Sequence, residues 1–267
     1  MNVGVEYPDG TIITKPMLPY DILRVSLDEA TDEIIDHEKI LLLPPSTQNK
    51  WIERDVYSLY GRSGAGKSTT IREILEMYRG FADAEEKPVP KVYVITNVPS
   101  ALNFGHDARY IDITTLYEAR YQTGVGVVTT LLPPPKEFKK LFEGSIVVFD
   151  DYDTFPKNVK PSIIAFRDKL LQEGRHLKVN VILGQHEVNK GHADKLVKQE
   201  TTVYGVFQDI MPIHMKRLFK EYIGVGKEDV KEISVALRHR PRQRVMVSMN
   251  DHIITTYDKM WFTRVDD

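Results

Sequence analysis

Eight consecutive residues, Gly61-Arg62-Ser63-Gly64-Ala65-Gly66-Lys67-Ser68, fit the pattern G-x-x-x-x-G-K-[ST] without a mismatch. That spacing is suited to holding a chain of phosphates. Glycines at 61, 64 and 66 let the backbone curl until successive N–H groups point inward at anionic oxygens. A lysine at position 67 reaches the outer phosphates, and the Ser68 hydroxyl is placed to ligate Mg²⁺, with Thr69 following it. The nucleotide this predicts is ATP, bound with Mg²⁺ by residues 61–69.

A second constellation closes Ile146-Val147-Val148-Phe149-Asp150-Asp151, an apolar run that ends in two carboxylates. Ligands of open α/β folds bind at the carboxyl ends of parallel strands, so both acids fall where the phosphates belong. Asp150 is the candidate partner of the metal and its water shell. Asp151 is the candidate carboxylate that polarises an attacking water. A solvated acidic turn is the competing reading, and Asp153 reads as turn or helix-cap chemistry. A third element is Gly174-Arg175-His176 before the apolar run Val179–Leu183, with Gly184-Gln185-His186 after it. Arg175 suits a cation that completes a neighbouring subunit's site, or is an ordinary surface cation. Gln185 and His186 are alternative polar groups near the terminal phosphate, and a capping or packing role stays open for His186.

These side chains need a scaffold. Val56-Tyr57-Ser58-Leu59-Tyr60, rich in β-branched and aromatic residues, reads as a buried strand entering the loop. Beyond the loop, Ile71, Ile74, Leu75 and Tyr78 fall at i, i+3, i+4 and i+7, the apolar stripe of a helix. The phosphates would then lie at a helix N-terminus, where unpaired N–H groups and the macrodipole favour anions. Further strands are expected at Lys91–Thr96, Tyr110–Ile113, Ser145–Phe149, Val179–Leu183 and Thr202–Phe207. Helices are expected at Thr114–Tyr121, Lys136–Phe142, Pro161–Gln172, Ala193–Gln199, Ile213–Tyr222 and Lys227–Leu237, with a hairpin around Asn250-Asp251. Pro44–Asn49 reads as a loop. Strands alternating with helices imply an α/β fold with a mainly parallel central sheet flanked by helices. The expected division is an N-terminal extension (1–50) packing on the core, a P-loop core (51–210), and C-terminal helices with a β-hairpin (211–267) in the same domain.

Composition fits that scaffold. The 267 residues are 42% apolar and 28% charged, enough to bury a full α/β core. There is no cysteine, hence no disulfide framework and no thiolate chemistry. The formal charge of −2 argues against a wholly basic nucleic-acid coat protein. The first residues show no basic segment followed by an apolar core, so secretion is not expected, and no apolar run is long enough to span a membrane.

Together, the loop at 61–68, the strand ending in Asp150-Asp151, and Gly174-Arg175 leading into a strand with a polar end resemble the FtsK–HerA superfamily of DNA-pumping ATPases. More narrowly, the chain resembles the genome-packaging ATPases of large double-stranded DNA viruses, the poxvirus-type enzyme included, over about residues 52–263. The resemblance implies a FtsK–HerA/RecA-like fold and a homo-oligomeric ring, hexamer or pentamer, that threads double-stranded DNA into a preformed capsid. Capsid or portal proteins would be partners, and the location would be the virion or a virus factory in the host-cell cytoplasm. It also implies that Arg175 acts in trans and that His186 or Gln185 senses the nucleotide. Candidate DNA-contacting cations are Lys190, His192, Lys195, Lys198, Lys216, Arg217, Lys220 and the run Arg238–Arg244.

Two other readings of the loop stay open: a small-molecule kinase, and an ATP-gated assembly scaffold with little turnover. An arginine-rich lid would mark the kinase, and Arg238–Arg244 comes late in the chain for one. Asp151 argues against the scaffold, which needs no activating carboxylate.

Overall fold

The computed structural model describes residues 2–6, 12–16, 23–24, 39–42, 44–48, 52–96, 104, 108–110, 117–123, 126–132, 135–186, 195–208, 210, 212–239, 244–256 and 259–262. The chain opens with short strands β1 (Asn2–Glu6), β2 (Ile12–Pro16), β3 (Leu23–Arg24) and β4 (Lys39–Leu41). β1 pairs antiparallel with both β2 and β4 as a separate small sheet, while β3 joins the edge of the main one. Residues 44–49, expected to be a loop, contain a helical turn instead, α1 (Pro45–Gln48). The Asp55 carboxylate explains that turn: it accepts bonds from the Ser46 N–H (3.0 Å) and from the Ser46 and Tyr78 hydroxyls. Burial pushes the Asp55 carboxyl above its ordinary value, and those donors oppose the shift.

Strands β5 (Val56–Tyr60), β6 (Val92–Thr96) and β7 (Ala108–Tyr110) belong to the main sheet, whereas β8 (Tyr117–Thr123) and β9 (Gly126–Leu132) form a hairpin of their own. The main sheet continues with β10 (Ile146–Asp150), β11 (Asn180–Gln185), β12 (Val203–Phe207), β13 (Arg244–Ser248), β14 (Ile253–Thr255) and β15 (Lys259–Phe262). Its order is β3-β15-β14-β13-β12-β5-β11-β10-β6-β7. From β12 to β7 every neighbouring pair is parallel; from β12 to β3 every pair is antiparallel. The C-terminal hairpin thus extends the same sheet.

Helices are α2 (Lys67–Ala84), α3 (Pro135–Phe142), α4 (Lys160–Glu173), α5 (Lys195–Glu200), α6 (Pro212–Arg217), continued by a π-helical turn (Leu218–Ile223), and α7 (Lys227–His239). Strand alternation assigns them to faces. Ile71, Ile74, Leu75 and Tyr78 of α2 pack on Tyr57, Leu59, Val148 and Ile182. Ile163, Phe166, Leu170 and Leu171 of α4 pack on Val56, Val147, Phe149, Val181 and Leu183 from the opposite side. For the helix expected at Thr114–Tyr121, residues 114–116 lie outside the described residues, and 117–123 are instead a strand paired residue for residue with β9. Cross-strand pairing outweighs local pattern there.

Candidate functional site

All six parallel strands end at one edge, and the sheet order decides what meets there. β11 lies between β5, which feeds the phosphate-loop sequence, and β10, which ends in the two carboxylates. The end of β11 is bonded to both: Gly61 N–H donates to the Gln185 carbonyl and Asp151 N–H to the Gly184 carbonyl, each at 3.1 Å.

Between β5 and α2, Gly64 (φ +80°) and Gly66 (φ +106°) adopt left-handed conformations that side chains resist, so the loop curls as its composition predicts. Arg62, Ser63, Gly64 and Thr69 are exposed along it, and Ala65 is buried. Lys67 opens α2 with only 4% of its surface exposed. Its Nζ donates to the carbonyls of Gly61 (2.7 Å) and Arg62 (3.1 Å) and lies 3.4 Å from Asp151 Oδ1. Ser68 Oγ donates to Asp150 Oδ2 at 2.9 Å, joining the two candidate metal ligands directly.

Asp150 is crowded from below. A Cβ on Gly184 would stand 2.7 Å from Asp150 Oδ1, so only glycine leaves the carboxylate its place. Burial, then the neighbouring Asp151 charge, raises the Asp150 carboxyl above its ordinary value; Ser68, Lys67 and His186 oppose this. Asp151 has left-handed backbone (φ 50°), which aspartate tolerates better than most residues. His186 is held against it: Asp153 accepts the His186 backbone N–H at 3.0 Å and meets its Nδ1 at 3.1 Å, while Nε2 lies 3.5 Å from Asp151 Oδ1. Asp153 is therefore no mere turn residue; it fixes the imidazole.

Five buried side-chain polar atoms lack a hydrogen-bond partner among the described residues, and three belong to this edge: Asp150 Oδ1, Asp151 Oδ1 and Gln185 Nε2. An unmet buried group costs about 1–3 kcal/mol, so three together mark a place built for a ligand. The donor set suits Mg²⁺ with a polyphosphate: hard oxygen ligands from Ser68 and Asp150, a buried cation, N–H groups at a helix start, and an amide NH₂ group with no hydrogen bond among the described residues. Asp151, Asp153 and His186 also converge, with one ligand-type atom each within 4.8 Å, but the hydrogen bonds above already account for that arrangement.

Arg175 stands apart. It precedes β11 and so lies at the opposite edge, about 20 Å of strand from the phosphate loop. Its Nε bonds Glu53 at 2.9 Å, and 69% of the side chain is exposed. The glycine before it has a local cause. A Cβ on Gly174 would lie 2.6 Å from Nη1 of Arg54, which donates to the Leu170 carbonyl (2.9 Å), while Nη2 of the same guanidinium pairs with Glu200 (2.6 Å).

Among the candidate DNA-contacting cations, Lys195, Lys216, Lys220 and Arg238 are exposed. Lys198 sits 3.7 Å from the centre of the Tyr222 ring. Arg244 corrects the expectation: it is buried against Thr70 and Glu73 of α2, and so leaves the surface run. Lys190, His192 and positions 240–243 lie outside the described residues.

Sequence reasoning missed Tyr152, on a short 3-10 turn after β10, and Arg167 of α4, which is 1% exposed. Arg167 carried a readable signal, since it interrupts the apolar stripe Ile163, Phe166, Leu170 and Leu171. A cation there must be buried with a partner.

The glycine loop between a parallel strand and a helix, facing an acidic strand end, defines a P-loop nucleotide-binding α/β fold. No family model and no curated protein matches the sequence. Solved structures show a limited likeness to it. The DNA-packaging ATPase B204 from Sulfolobus Turreted Icosahedral Virus is similar over 76% of this chain and 96% of that one, at 17% identity and a TM-score of 0.44. The pCW3 conjugation coupling protein TcpA is similar over 79% of this chain and 61% of that one (12% identity, TM-score 0.45). The cytoplasmic domain of the Thermomonospora curvata Type VII Secretion ATPase EccC is similar over 94% of this chain but 29% of that one (12%, 0.46). Among the described residues no helix is long and apolar enough to cross a membrane.

Proposed function

We propose that this chain is a Mg²⁺-dependent ATP hydrolase that moves double-stranded DNA, working as one subunit of a hexameric or pentameric ring that fills a viral capsid. Its place would be the virion or the host-cell cytoplasm, with capsid or portal proteins as partners. One observation carries the catalytic part: Lys67, Ser68, Asp150, Asp151 and Gln185 meet at one sheet edge, where three buried polar atoms have no hydrogen bond among the described residues. The translocase part rests on the order of motifs along the chain, from the loop through Asp150-Asp151 to Arg175 and the polar end of β11.

The roles follow from placement. Loop N–H groups and Lys67 bind and neutralise the phosphates, and Ser68 with Asp150 holds the metal. Mg²⁺, when bound, neutralises charge on the terminal phosphates and orients them. Asp150 is disfavoured as a free anion by its burial, so binding a cation relieves it. Asp151 accepts a hydrogen bond from the attacking water, and Asp153 holds His186 beside the Asp151 carboxylate.

Phosphate release by the purified chain, with and without duplex DNA, tests the reading. Stimulation by duplex supports a motor. Turnover that depends on a small acceptor, or none at all, overturns it. Asp151→Asn should retain ATP binding and lose turnover on the order of 10²-fold, since amide for carboxylate removes the proton acceptor but keeps the shape. Gly184→Ala should leave the melting temperature nearly unchanged and slow hydrolysis roughly 10²-fold, because the new methyl displaces Asp150 from Ser68. Wild-type turnover in Gly184→Ala would show that the Asp150 position is not critical.

A further inference from the structure

Gln185 is fully buried at the end of β11, between the backbone bonds that tie this strand to Gly61 and to Asp151. Among the described residues its side chain has one hydrogen-bond partner, Tyr152, whose hydroxyl lies 2.8 Å from Oε1. Arg167 Nη1 lies 2.9 Å from the same hydroxyl, and its guanidinium is anchored at 2.7 Å by Asp168.

The two bonds run in one direction. A guanidinium only donates, so the Tyr152 oxygen accepts from Arg167. The Tyr152 hydroxyl in turn donates to the amide oxygen, Gln185 Oε1. Gln185 Nε2 is thereby turned away from Tyr152, and this buried NH₂ group has no partner among the described residues. An amide is ordinarily free to present either end; here it is held by its oxygen, on a hydroxyl that is itself bonded to a buried arginine.

We infer that Tyr152 and Arg167 are positioning residues, which lock the Gln185 amide with its NH₂ group offered to an oxygen of the terminal phosphate or to the water beside it. Gln185, not His186, is then the group that distinguishes a triphosphate from a diphosphate. This rests on the nucleotide-site reading above but not on the DNA-motor reading. The two neighbours divide the work: Gln185 meets the phosphate end, and His186 is committed to Asp153 and Asp151.

The test compares equilibrium binding of Mg²⁺·ATPγS and Mg²⁺·ADP to the whole chain, with hydrolysis read separately. Tyr152→Phe keeps the ring and removes only the hydroxyl. It should cut the preference for the triphosphate about 10-fold with ADP affinity unchanged, as should Gln185→Ala. The double variant should be no worse than Gln185→Ala alone, because the hydroxyl acts only through the amide. Arg167→Lys keeps a cation beside Asp168 but loses the fork, and should give a smaller loss in the same direction; it also serves should Tyr152→Phe fold poorly. Unchanged preference in both relay variants, multiplying effects in the double variant, or no triphosphate preference in the wild type would overturn the inference. A preference that depends on Tyr152 in a protein that hydrolyses nothing would sink the hydrolase reading and leave this one standing.

Discussion

Lys67→Ala is expected to abolish productive triphosphate binding and lower hydrolysis by on the order of 10³-fold or more. Two losses combine. The ammonium is the cation at the centre of the loop, bonded to the Gly61 and Arg62 carbonyls and sheltered from water, where a charge acts on phosphate far more strongly than at the surface. It also stands 3.4 Å from Asp151 Oδ1, so its removal leaves that carboxylate facing the phosphates without compensation. The fold should survive, because α2 is held by Ile71, Ile74, Leu75 and Tyr78 on the sheet and not by its first residue. A fluorescent ATP analogue titrated into both proteins, beside melting curves, checks each point. Hydrolysis retained in a folded Lys67→Ala protein would place the site elsewhere.

The parts of the site readable in sequence were those whose chemistry is local. The loop needs its glycines and lysine at fixed spacing, and an apolar strand that ends in acids displays them at the sheet edge whatever surrounds it. The buried strands and the α2 stripe were legible for the same reason: periodicity and burial go together. What escaped depends on contacts far along the chain. Asp153 looked like turn chemistry because His186, its partner, comes 33 residues later. Arg244 looked like one cation in a surface run, but β13 is buried at every position, and Glu73 lies 171 residues away. The helix expected at Thr114–Tyr121 lost to a pairing with β9 that no local propensity encodes. The surroundings of Gln185 were equally hidden: strand parity puts it on the face of Val181 and Leu183, beside a hydroxyl and a guanidinium outside the motif.

Arg175→Ala carries the other large effect, and its test is clean because of where the residue lies. Within one chain Arg175 cannot reach the nucleotide: it precedes the strand whose far end lies beside the phosphate loop. Its pairing with Glu53 is exposed on both sides, so its loss should leave the melting temperature unchanged. A defect in turnover can then only come from another copy of the chain. If this edge faces a neighbour's phosphates, the substitution should cost roughly 10³-fold in assembled protein and nothing in nucleotide binding by the isolated chain. Mixing decides the point. Arg175→Ala contributes an intact pocket and lacks the cation, whereas Lys67→Ala contributes the cation and lacks the pocket. Interleaved in one ring, they form some interfaces with both, and activity should partly return. Two dead variants that stay dead when mixed, although they assemble, would reduce Arg175 to a surface partner of Glu53 and remove the strongest sequence argument for catalysis between subunits.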